Sequence, residues 1–179
     1  MASGTIEKYF ADRKGAIERL LTDGEVSFAN SLQDDFRKTL LLSCASFFEA
    51  RITEDFMKLA VATAGERSIL TNLLKNKALK RQYHTLFDWE KKNANAFFGM
   101  LGEDFSAYAK KAVIDDNILE KGIADFLELG SLRNQLVHRN FVSFPLEKTP
   151  DEIFSQYRSG LTFVNWLSAS LSAPLEINN

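Results

Sequence analysis

NILEKGIADFLELGSLRNQLVH, residues 117–138, carries the reading on which the fold turns. Wound as one helix at about 100° per residue, with Leu136 at zero, it places Leu132 at about −40°, Leu129 at about 20°, Phe126 at about 80° and Ile123 at about 140°. That is a broad apolar face of the kind a helix turns toward a core. Arg133 falls at about 60°, inside this face, where a leucine is expected. Asn134 and His138 fall at about 160° and 200°, one turn apart on its margin, where their side chains can meet.

Two readings of these polar residues stand side by side. An arginine is not buried unpaired at reasonable cost, so Arg133 either pairs with a carboxylate across the core or faces a crevice or a partner subunit. Asn134 and His138 are either the polar end of an ordinary helix, where histidine suits the dipole, or part of a site. The chemistry open to the trio is specific. Imidazole titrates near neutrality and can take a proton from a ribose 2′-hydroxyl or give one to a leaving oxygen. A guanidinium holds a phosphate by two parallel hydrogen bonds and stabilises charge on a pentacoordinate phosphorus. This helix supplies one histidine per chain, whereas in-line attack benefits from a base and an acid. A two-fold dimer with its axis beside the helix would bring two.

Outward from this helix the pattern stays helical. Residues 5–21 have apolar residues at helical spacing until TDGE ends the run. A long helix is expected from about 31, with Ser31 as its cap, to about Ala64; its stripe is Phe36, Leu40, Cys44, Phe47, Ile52, Phe56 and Leu59. Residues 66–81 read as a helix that turns basic, 84–98 as an aromatic-rich and poorly capped one, and 105–113 as a short one. RNFVSFPLEK, from Arg139, is the only stretch resembling extended chain. Thr149-Pro150-Asp151-Glu152 is a helix start in which Thr149 caps, Pro150 takes the first position and Glu152 reaches back. The last helix then runs until Pro174. With no internal repeat, linker or low-complexity segment, residues 1–179 read as a single all-α domain, an up-and-down helical bundle of five to seven helices.

Composition bounds the function. The chain is 45% hydrophobic and 26% charged, ordinary for a globular protein. Fifteen phenylalanines argue for a thick core, an apolar interface, or both. A net charge of −2 does not suit bulk binding of long duplex DNA, although a small enzyme can gather positive charge in one cleft. The single Cys44 excludes an internal disulfide. With no signal-type apolar run and no stretch long enough to span a bilayer, a cytoplasmic protein with no membrane partner is expected.

The hexapeptide Arg133-Asn134-Gln135-Leu136-Val137-His138 resembles the identifying motif of the HEPN superfamily: an arginine, a polar residue and, after a short spacer, a histidine, late in a helical bundle. LLLSCASFFEARITEDF at 40–56 resembles the long polar-dotted helix of these proteins, and FDWEKKNANAFFGMLG at 87–102 is similar to the RiboL-PSP-HEPN-like branch. The resemblance covers about 31–170. It implies a HEPN-like bundle and a metal-independent endoribonuclease that dimerises to form a composite site, cuts RNA by 2′-hydroxyl attack and leaves 2′,3′-cyclic phosphate ends. Many such proteins are toxins or anti-phage effectors. Arg133 would then bind and polarise the phosphate, His138 would be the acid or base, and Asn134 the supporting polar residue.

Other residues are weighed against bland alternatives. Glu49, and less so Glu54, could orient His138 or pair Arg133, or simply be solvated. Arg139 is a further candidate supporting residue. Lys75, Lys77, Lys80 and Arg81 form a candidate phosphate track, with Tyr83 and Trp89 available to stack on bases, against the reading of a solvated face and core aromatics. His84, behind these basic residues, is read as a surface or capping histidine, with RNA contact as the alternative. Residues 103–128 hold seven carboxylates against three lysines and could repel RNA or dock a basic partner such as an antidote or regulatory protein. No cofactor is expected; Asp34-Asp35 and Asp115-Asp116 are only weak Mg²⁺ candidates, and phosphate-loop, HExxH and GxSxG patterns are missing. The leading expectation is a dimeric RNA endonuclease. The alternatives are a catalytically silent helical module that binds RNA or protein, and a purely structural bundle.

Overall fold

In the computed structural model, which describes residues 4–172, seven α-helices account for nearly all regular structure. They are α1 (Gly4–Thr22), α2 (Val26–Ala64), α3 (Ile69–Leu74), α4 (Asn95–Met100), α5 (Glu103–Asp115), α6 (Asn117–His138) and α7 (Pro150–Ser172). No strand occurs among the described residues. No described helix is long and apolar enough to cross a membrane.

The spine is α2, 39 residues and about 58 Å long. Its buried residues Phe36, Leu40, Cys44, Phe47, Ile52 and Phe56 are those of the expected stripe, while Leu59 is only half-buried as the helix leaves the core. The helix starts at Val26, five residues before Ser31, which is internal and uncapping. Gly24, at φ 80°, reverses the chain so tightly that Glu25 N–H already bonds to Leu20 C=O at 2.9 Å, and the next helix restarts at once.

Against α2 pack α1, α6 and α7, and α6 lies along α7 for most of its length. Gly122 makes that approach possible: a Cβ there would stand 2.8 Å from the Ser159 carbonyl oxygen. The core between them is aromatic, with Phe126 centred 4.9 Å from Phe87, 5.0 Å from Phe163 and 5.3 Å from Phe48. Such contacts add to what burial of the rings supplies. Cys44 lies in this core, and burial pushes its thiol pKa up, away from reactivity.

The start signal at 149–152 forms as a capping box: Glu152 accepts from Thr149 N–H at 2.8 Å, and Thr149 Oγ1 accepts from Glu152 N–H at 3.2 Å. Pro174, read as the stop of α7, lies outside the described residues.

Three expected elements differ. The helix expected over 66–81 is shorter: Ser68 caps α3, which continues as a π-turn over Lys75–Leu79 and ends where Arg81 takes φ 61°. Residues 84–98 are not one helix. After a 3₁₀ turn at Tyr83–Thr85 the chain runs irregularly to α4, because Phe87, Trp89 and Ala94 each insert into the core without helical spacing. Residues 139–149 form turns rather than a strand, tied down by Lys38. This buried lysine donates to Asp34 at 2.7 Å and to the Val142 carbonyl at 3.0 Å.

Candidate functional site

Toward its C-terminus α6 rises out of the core. Leu129 is fully buried, Arg133 keeps 30% of its side chain exposed and Val137 is 47% exposed, so Arg133 stands at the water line of an apolar face. Its position among apolar residues thus has a physical resolution: it faces a crevice and also finds a carboxylate. The guanidinium lies 3.6 Å from Glu49 on α2 and donates to Asn134 Oδ1 at 3.1 Å. With its oxygen so used, the Asn134 amide has its NH₂ donors left for a ligand.

Arg133, Asn134 and His138 line one open cleft of about 410 Å³ at this end of α6. Glu49 closes it from α2, and the turn carrying Arg81, Tyr83 and His84 closes it from the third side. An apolar recess adjoins it, lined by Ala45, Phe48, Trp89, Phe126 and Gly130 among others, but its room of about 10 Å³ admits no more than a water. A ring the size of a nucleobase does not fit that recess, and the room for a ligand is in the open part.

Of the supporting candidates, Glu49 is brought to the cleft and Glu54 is not; Glu54 pairs with Lys58 at 2.7 Å on the outer face of α2. Arg139 also is carried away. Its extended backbone turns the chain off the helix end, and its guanidinium rests over the Phe144 ring at 5.7 Å, beside a separate groove. In the candidate phosphate track only Arg81 reaches the cleft; Lys75, Lys77 and Lys80 are exposed on the preceding turns and do not line it.

Tyr83 lines the cleft but is 8% exposed, with its ring 5.8 Å from Phe87 and 5.9 Å from Trp89. A ring so enclosed offers little surface for stacking on a base. Burial, reinforced by the Glu49 carboxylate, pushes its phenol pKa well up, so it is a neutral hydrogen-bonding group. Trp89 is half-buried and is also committed inward. Of the weak metal candidates, Asp34 is held by Arg37 and Lys38, and Asp116 caps α6 by accepting from Ile118 N–H at 2.8 Å.

The cleft residue that sequence reasoning undervalued is His84. Both histidines of the chain, 54 positions apart, line the same cleft. The only local signal was indirect. Gly130 sits mid-helix on a buried face, and a Cβ there would stand 2.0 Å from a Trp89 ring carbon, so the glycine exists to receive that indole. The indole N–H then donates to the His84 carbonyl at 2.7 Å, which hangs the His84 turn over the next turn of α6.

No curated protein and no solved structure shows significant similarity to the chain. The family model described as RiboL-PSP-HEPN matches residues 8–172, which includes most of α1, all of α2 to α7 and the whole Arg133–His138 motif. The match points to an RNA-related, nuclease-type function, the all-helical architecture agrees with it in fold, and the chain belongs to the RiboL-PSP-HEPN family.

Proposed function

We propose that the protein is a metal-independent endoribonuclease acting through Arg133, Asn134 and His138. The observation that carries this reading is that all three line one open cleft, with the Arg133 guanidinium part-exposed and oriented by Glu49 and Asn134. In the reaction an imidazole takes the ribose 2′-hydroxyl proton while O2′ bonds to phosphorus. The P–O5′ bond breaks, and the departing oxygen leaves with a proton. The products are a 2′,3′-cyclic phosphate and a 5′-hydroxyl end. Arg133 stabilises the charge that builds on the phosphoryl oxygens, and the Asn134 amide donates to one of them. Glu49 keeps the guanidinium in place until the phosphate displaces it.

The protein works as a homodimer whose two clefts open toward one RNA, with the two His138 side chains within roughly 10 Å so that both reach the same phosphodiester segment. Val137, half-exposed on the rim beside His138, supplies apolar contact at such an interface. A toxin or anti-phage effector is the biological role that fits such an enzyme. The acidic stretch 103–128, none of whose carboxylates lines the cleft, offers a basic antidote or regulatory protein a segment to dock on.

The test is cleavage of RNA in EDTA by the wild type and by His138→Ala. Cleavage that persists in chelator and disappears in the variant supports the mechanism; cleavage undiminished in the variant overturns the role of His138. Tight RNA binding without turnover would mean a silent binding module instead. Light scattering and crosslinking at Val137→Cys read the dimer.

A further inference from the structure

We propose that His84 is the second proton-transfer group of the reaction, so that each chain carries its own acid–base pair, His84 and His138, in one cleft. The inference rests on the endoribonuclease reading and replaces one part of it: the second imidazole comes from His84 of the same chain, not from the partner's motif, and the dimer supplies grip on the RNA.

Three observations carry it. Both histidines line the same cleft of about 410 Å³, the cleft that also holds Arg133 and Asn134. Both residues are exposed, and among the described residues neither ring has a hydrogen-bond partner within the chain, so both rings are left open to contact a ligand. The backbone under His84 is held in place independently of its ring. Trp89 donates to the His84 carbonyl at 2.7 Å, Thr85 N–H bonds to Gln82 C=O at 2.9 Å and Leu86 N–H to Tyr83 C=O at 3.1 Å. A capping or core histidine uses its ring for such work; here the ring is left over.

The chemistry has a place for it. Attack by O2′ needs one base and departure of O5′ needs one acid, on opposite sides of phosphorus. α6 presents His138 from one wall of the cleft, and the 3₁₀ turn presents His84 from another, with Arg133 on α6 and Glu49 on α2 beside them. The remaining titratable or charged groups facing the cleft are Arg81 and Tyr83, from the same turn as His84. Neither suits proton transfer near neutrality, since a guanidinium does not deprotonate there and a buried phenol stays neutral.

The experiment compares wild type, His84→Ala, His84→Gln and His138→Ala on RNA and on uridine 3′-(4-nitrophenyl phosphate), whose leaving group needs no acid, across pH. On RNA each His84 variant loses about 10²–10⁴-fold in kcat, as removal of a general acid or base does, and one limb of the bell-shaped pH profile disappears. On the activated substrate the variant of the acid histidine recovers and that of the base does not. A His84 variant within threefold of wild type, with both limbs present, overturns the role of His84 while leaving the nuclease reading intact. Absence of wild-type cleavage removes both.

Two measurements separate chemistry from folding and same-chain from cross-chain action. The wild type has only two histidines, so titration with uridine 3′-monophosphate must perturb both imidazole NMR signals; a response from His138 alone overturns the proposal. Mixed His84→Ala and His138→Ala chains must remain inactive. Recovery of a quarter or more of wild-type activity would put the paired imidazoles on different chains and overturn it too.

Discussion

The Trp89 indole N–H donates to the His84 backbone carbonyl at 2.7 Å, while the Trp89 ring lies flush against Gly130 of α6. This couples a helix glycine to the placement of a histidine 46 residues earlier in the chain. Gly130 is one turn before Asn134, so the same helix carries the motif and the seat for the loop that faces it.

That coupling is open to a substitution outside the cleft chemistry. Gly130→Ala puts a Cβ about 2.0 Å from a Trp89 ring carbon and forces the indole out. Overpacking of this kind costs roughly 1–3 kcal/mol, somewhat offset by better helix propensity. Urea unfolding reads the loss. RNA cleavage falls more than stability predicts, because the His84 turn moves with the indole. Trp89→Phe keeps the ring but removes the N–H and costs about 1 kcal/mol.

Arg81 combines a strained backbone with a cleft-facing charge, since it takes φ 61°, a region that glycine enters freely and arginine does not. Arg81→Gly is therefore expected to stabilise the fold by up to about 1 kcal/mol while weakening RNA binding and lowering the salt-dependence slope by about one. Lys75→Ala or Lys77→Ala, off the cleft, changes affinity less. Thermal unfolding and RNA titrations at several salt concentrations check both halves.

Glu49 holds Arg133 but opposes a phosphate in the same place. Both side chains are more than a quarter exposed, so Glu49→Gln shifts stability by less than about 1 kcal/mol. It removes a like-charge repulsion of about 1 kcal/mol at ~4 Å and tightens RNA binding roughly fivefold. Single-turnover rates fall in the same variant as Arg133 loses its orientation. An unchanged or weaker affinity would contradict this account of the ion pair.

Acid should loosen the α2 anchor of the 139–149 turns. The hydrogen bond from Lys38, helped by Arg37, holds the Asp34 carboxyl below its ordinary 3.8 against the opposing effect of burial. A depressed folded-state pKa means that the unfolded chain takes up the proton more readily. The contribution is thus complete above the unfolded value and fades as pH falls through the lowered one. Asp34→Asn should lower the melting temperature at pH 7, and the gap should close as the pH falls through and below the ordinary carboxylate range.

Local chemistry made much of the molecule legible. The apolar period of α6 and the α2 stripe, the Thr149–Glu152 capping box and the Arg133–His138 spacing are properties of neighbouring residues, so they could be read without the fold. The start of α2 was misplaced because Ser31 resembles a cap, while the actual boundary is set by the tight reversal at Gly24. Residues 84–98 resisted reading because Phe87 and Trp89 are placed by rings and a glycine elsewhere in the chain, with no period of their own.

By itself the sequence determined a helical bundle and a motif that puts Arg133, Asn134 and His138 on one helix end, since both depend on spacing within a single helix. Only the tertiary structure decided which residues face that motif. It brought in Glu49, Arg81 and His84 and sent Arg139 away, because the path of the loop depends on Trp89 docking at Gly130 and the chain turning off α6 at its end, contacts that no local pattern encodes.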